Sequence, residues 1–168
     1  MKSMHTFTRT VLVALIASIS PLASAQAPAP APAPSYGPNI NLEQARKIIA
    51  AGQVEAKKNS WPVAIAVVDT AGNLVAFEKL DDTQTASIDV AQDKARSSAI
   101  YRRPSKVFED LVAGAGAGMR VLNLRNASTV EGGVPIAVGG KIIGAVGVSG
   151  VTSQQDGVVA KASADALK

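Results

Sequence analysis

The side chains able to do chemistry are few, and four bases fall in one short stretch: Lys94, Arg96, Arg102 and Arg103. Ammonium and guanidinium groups so grouped can hold carboxylates through charge-assisted hydrogen bonds. The same four residues equally describe a solvated basic face around a helix. Gly114, Gly116 and Gly118 invite comparison with a phosphate-cradling loop, but G-x-G-x-x-G needs glycine at 119, where Met119 stands. Ser149 lies between Gly147-Val148 and Gly150, yet a nucleophile elbow requires one residue between the serine and the second glycine. A Ser-Lys pairing with Lys141 or Lys94 stays open. Asp81-Asp82, an adjacent acidic pair, reads as a solvated turn rather than a cation site.

The N-terminus narrows these options further. Lys2 and Arg9 precede a short apolar run, Val11 to Ile19, then Pro21 and the small-x-small triplet Ala23-Ser24-Ala25. This pattern predicts a secretory signal peptide over residues 1–25, cut after Ala25. The run is about half the twenty apolar residues a membrane span needs, so no membrane insertion is expected after cleavage. The expected location is periplasmic or secreted. Cleavage removes His5, the only histidine, and the chain has no cysteine. Metal sites built on imidazole or thiolate are then excluded, as is a histidine base for Ser149. The formal charge of +4 falls to +2, because Lys2 and Arg9 leave and no acid does. That excess argues against a nucleic-acid partner. Within the domain at 40–168, Tyr101 and Met119 remain as the side chains of a type that ligates haem iron; each also serves as an ordinary packing residue.

These residues must be positioned by a core poor in aromatics: 47% of the chain is hydrophobic but only 4% aromatic. Ala27 to Pro34 alternates Ala and Pro, so residues 26–39 read as an extended Ala/Pro-rich linker without a packed face. The domain is placed at 40–168. Asn41 and Gln44 form a capping-box pattern for a helix whose stripe is Leu42, Ala45, Ile48, Ile49 and Ala56, ending at Asn59 and Trp61-Pro62. Val63 to Val68 is a β-branched run expected to be buried on both faces. The turn Asp69 to Asn73 returns it as Leu74 to Lys79.

A helix over 86–101 carries Ile88, Ala91, Ala95 and Ala99, a small-residue face that lets another backbone approach closely. Pro104 opens a short helix through Leu111. Gly114 to Gly118 is expected to be a flexible loop, and Met119 to Val130 an irregular stretch followed by a short strand. Val134 to Val138 and Lys141 to Ser149 flank Gly139-Gly140, a tight hairpin. Ser153 caps a last helix. Strand pairs joined by hairpins predict an α/β (α+β) domain, an antiparallel sheet flanked by helices, rather than a doubly wound one.

The segment from Glu131 to Gly150, EGGVPIAVGGKIIGAVGVSG, followed by Gln155-Asp156, resembles the GlcG/HbpS family of haem-binding (haem-degrading domain) proteins. The likeness extends through Ile65 to Asp69 with Gly72, and through Lys94-Ala95-Arg96, and so covers 41–168. It implies a profilin-like fold with a five-stranded antiparallel sheet, homo-oligomeric assembly, and haem as cofactor in some members. Certain members are haem-degrading, and others act in haem- and redox-linked sensing. An axial histidine is not available in the expected mature chain. Haem would use Tyr101, Met119, a hydroxyl such as Thr129, a weak ligand, or no axial side chain, with Lys94, Arg96, Arg102 and Arg103 available to its propionates. Gly132 and Gly133 either line the ligand groove or mark close packing. The expected function is weak haem binding for scavenging or sensing. The alternatives are a module for a small organic acid such as glycolate, clamped by Lys94 and Arg96, or an enzyme acting on haem or a corrinoid.

Overall fold

The computed structural model describes residues 32–168; the expected signal peptide and residues 26–31 of the linker lie outside them. Helix α1 (Leu42–Lys58) starts as its cap dictates: Gln44 N–H donates to Asn41 Oδ1 at 2.9 Å and Asn41 N–H to Gln44 Oε1 at 3.1 Å. Strands β1 (Ala64–Val68) and β2 (Leu74–Lys79) form the first hairpin. Helices α2 (Ser87–Tyr101) and α3 (Lys106–Ala113) follow, then a 3-10 helix over Gly116–Asn123. Strands β3 (Gly133–Val138) and β4 (Lys141–Ser149) make the second hairpin, turned by Gly139 and Gly140 at φ +57° and +75°. Helix α4 (Ser153–Asp165) is capped by Thr152, one residue before the expected Ser153.

The sheet is antiparallel in the order β2-β1-β4-β3. Alternation along β1 divides the core. Ile65 and Val67 pack with Ile48, Ile49, Val146, Val148 and Val159 on the side of α1 and α4. Ala64, Ala66 and Val68 pack with Ala91, Ala95 and Ala99 of α2 on the other. The small face of α2 thus sits against the sheet as its sequence requires.

The described residues form four strands, not the five expected. The segment assigned a short strand winds instead into the 3-10 helix and an irregular run to Gly132. A Cβ at Gly118 would collide with the Leu111 carbonyl, so this glycine lets the helix fold back on α3 rather than extend toward the sheet. The end of the linker is likewise packed, against expectation. β1 stops pairing at Val68, opposite Ala145, leaving the start of β4 open on that side. The chain fills the gap: Ile142 N–H donates to Ser35 O (2.9 Å), Gly37 N–H to Ile142 O (2.7 Å) and Ile40 N–H to Ile143 O (2.8 Å).

Candidate functional site

An apolar groove of about 360 Å³ opens along the outer strand β3, between the start of α3 and the flank of α4. Gly132, Gly133, Val134, Pro135 and Ala137 line it from the sheet side, and Gly157 and Ala164 from α4. Its charged residues are Lys106, Glu131, Lys161, Asp165 and Lys168. Its volume is at the small end of the roughly 300–1,000 Å³ typical of ligand pockets.

The entrance loop is held by one buried hydroxyl. Ser105 Oγ donates to Val130 O (2.8 Å) and accepts from Gly133 N–H (2.9 Å), while Ser105 N–H donates to Gly133 O (3.0 Å). Behind Gly132 lies an ion pair: Lys94 Nζ donates to Asp156 Oδ2 at 2.7 Å and to Val148 O at 3.0 Å, with the two side chains 1% and 3% exposed. Burial pushes the Asp156 carboxyl up, and the Lys94 bond pulls it back. Gly132, at φ +128°, has no room for a side chain, since a Cβ would stand 2.6 Å from Val148 O and 2.8 Å from Lys94 Nζ. Burial also raises the Glu131 carboxyl, with Lys106 opposing and Glu109 adding to the shift.

Of the expected site residues, Gly132 and Gly133 line the groove. Lys94 lies beneath it, turned inward to Asp156, so its ammonium is not presented to a ligand. Arg96 points elsewhere, its Nε donating to Gly72 O at 3.3 Å, so Lys94 and Arg96 do not converge into a clamp. Tyr101 OH donates to Arg125 O (2.7 Å) and its ring meets Phe108 edge-on at 5.1 Å. Arg102 lies over the Tyr36 ring at 5.4 Å. Met119 is 43% exposed on the 3-10 helix, and Thr129 borders a separate hollow with Val90 and Asp93. None of these five lines the groove. Ser149, considered as a nucleophile, is buried with its Oγ 3.1 Å from Ser87 Oγ. Among the described residues no cluster of three His, Cys, Asp or Glu could hold a bare metal ion.

Sequence reasoning passed over Glu131, Gly157, Lys161 and Lys168 as site residues. Gly157 carried a usable signal: a glycine one turn into a capped helix disfavours helix by about 1 kcal/mol and asks for a packing reason. That reason is Glu131, whose side chain lies across it.

Comparison with known proteins gives one consistent answer. Residues 40–165 match the family model described as "Haem degrading protein HbpS-like". The chain is 45% identical over 110 residues to Protein GlcG of Escherichia coli K12, covering 66% of this chain and 81% of that one. Among solved structures, a double mutant of Streptomyces reticuli HbpS superposes with a TM-score of 0.72 at 25% identity, covering 87% and 99% of the two chains. A PduOC haem complex superposes at 0.69 and 23% identity, covering 77% and 96%, a likeness of fold.

Proposed function

The chain belongs to the HbpS-like family of haem-degrading proteins, and from that premise we propose that the β3–α4 groove binds haem, the macrocycle against its apolar lining and the propionates at its lysines. The observation that carries this is the pairing of an apolar floor (Val134, Pro135, Ala137, Ala164) with a cationic rim (Lys106, Lys161, Lys168) in one cavity. The lysines already contact acids: Lys161 meets Asp165 at 2.6 Å, Lys168 meets Asp165, and Lys106 meets Asp110 at 2.8 Å. Such exposed pairs are worth only about 0–1 kcal/mol each, so exchanging a partner for a guest carboxylate costs little.

The lining offers apolar surface to the ring and lysines to its carboxylates. For the iron it holds no imidazole, thiolate, thioether or phenol; its side-chain oxygen donors are Glu131 and Asp165. Haem, when bound, supplies the redox-active iron, while the chain buries the ring and neutralises the propionates. Weak binding suited to scavenging or sensing follows from a small, open groove without a strong axial ligand. The small-acid alternative loses its Lys94–Arg96 clamp but keeps the groove lysines as an anchor.

The same reading includes export after removal of residues 1–25, a profilin-like arrangement of the sheet, and homo-oligomeric assembly. Leu111, Met119, Leu122 and Leu124, each between 41% and 54% exposed on α3 and the segment after it, supply apolar surface for a second copy. Titration of haemin into the chain from residue 26 tests the function. A saturable Soret shift weakened by Lys161→Ala with Lys168→Ala, and by rising salt, is expected. Binding indifferent to both would remove the propionate contacts.

A further inference from the structure

Two carboxylates line the groove, and their surroundings differ. Asp165 is engaged twice, by Lys161 and by Lys168. The Glu131 carboxylate accepts no hydrogen bond from any described residue. The nearest cation is Lys106 Nζ at 3.9 Å, and that ammonium is committed to Asp110 at 2.8 Å. Yet Glu131 is placed firmly. Its N–H donates to Glu109 Oε2 at 2.6 Å, and its side chain, 20% exposed, lies flat over Gly157, where a Cβ would stand 2.5 Å from Oε1. An ionised carboxylate offers about four acceptor positions. None of those of Glu131 is filled by a protein donor, so its oxygens are free to meet a guest in the groove they line.

We propose that Glu131 is the protein ligand for the ferric iron of a haem held in the groove, which rests on the haem reading above. Ferric iron is a hard cation that accepts oxygen donors, and the groove lining offers it no imidazole, thiolate or thioether; its three amine nitrogens, on Lys106, Lys161 and Lys168, are protonated and paired with carboxylates. Of the two carboxylates, Glu131 is the one with its oxygens unfilled. The assignment also divides the groove by charge: beside Glu131 a guest carboxylate meets Lys106 alone against a carboxylate, whereas two lysines face it at the Lys161–Lys168 end.

Titrations of haemin and of metal-free protoporphyrin IX into the wild-type chain, Glu131→Gln and Glu131→His test this. Glu131→Gln keeps the shape of the side chain and is expected to weaken haemin at least tenfold, with a change in the ferric charge-transfer bands, while metal-free porphyrin binds as to wild type. Glu131→His is expected to restore haemin affinity with the spectrum of an imidazole-ligated iron. Haemin binding and spectra unchanged in Glu131→Gln, with both porphyrins still bound, would overturn the Glu131 assignment and leave the groove reading standing. Failure of the wild-type chain to bind either porphyrin would overturn the groove reading and the assignment together.

Discussion

Lys94 and Asp156 meet at 2.7 Å behind Gly132, joining α2 on one face of the sheet to α4 on the other. Neither side chain is more than 3% exposed, so each is the other's main compensation for leaving water. Lys94→Met is therefore expected to destabilise the fold by about 3–5 kcal/mol, because it strands a buried carboxylate. Lys94→Met with Asp156→Leu should recover much of that loss. Urea midpoints of the two singles and the double check it; a single variant as stable as wild type would mean the pair is not what holds the layers.

Gly157→Ala separates stability from binding. In mid-helix the change favours folding by up to about 1 kcal/mol, but the new methyl displaces the Glu131 side chain. Thermal melting is expected to stay within a few degrees of wild type while haemin affinity falls. Unchanged affinity would show that the position of Glu131 over Gly157 does not matter to the ligand.

Tyr36 fastens the segment before α1 to the end of α2, its hydroxyl donating to Ala99 O at 2.9 Å and Ile100 O at 3.1 Å. Tyr36→Phe should cost about 1 kcal/mol, the net worth of one partly exposed hydrogen-bonding group. Faster amide exchange at Gly37 and Ile40, with the rest of the sheet unaffected, is the expected signature. Uniform protection would mean the segment is held by its backbone bonds alone.

Asp69 supplies the pH dependence. Burial acts to raise its carboxyl, but bonds from Asn73, Ala71 and Gly72 outweigh it and hold the group below the usual carboxylate range. A depressed folded-state value means that its stabilisation is present above the ordinary aspartate range and is lost as pH falls through the lowered value. Asp69→Asn should flatten that part of the acid-unfolding profile. An identical acid profile in the variant would contradict it.

Much of the scaffold was legible because its signals are local. The Asn41–Gln44 box, the β-branched run before Asp69 and the Gly139-Gly140 turn each specify an element within a few residues. The missing fifth strand was not, since Met119 to Val130 is shaped by packing of Gly118 under Leu111 rather than by its own pattern. Lys94 misled for a related reason. It sits beside the Ala91–Ala95–Ala99 stripe, a position that reads as a basic face until Asp156, 62 residues later, is brought against it. Gly132 and Gly133 could be picked out by their motif, whereas Lys161 and Asp165, at i and i+4, resemble any solvated helix pair.

The groove itself is tested most directly by haemin titration of the wild-type chain beside Ala137→Glu, which sets a charged side chain into the apolar lining of an outer strand without touching the core. Wild type is expected to give a saturable one-to-one Soret shift, with affinity at least tenfold weaker in the variant and an unaltered melting curve. Equal binding by the two chains would place haem elsewhere on the molecule.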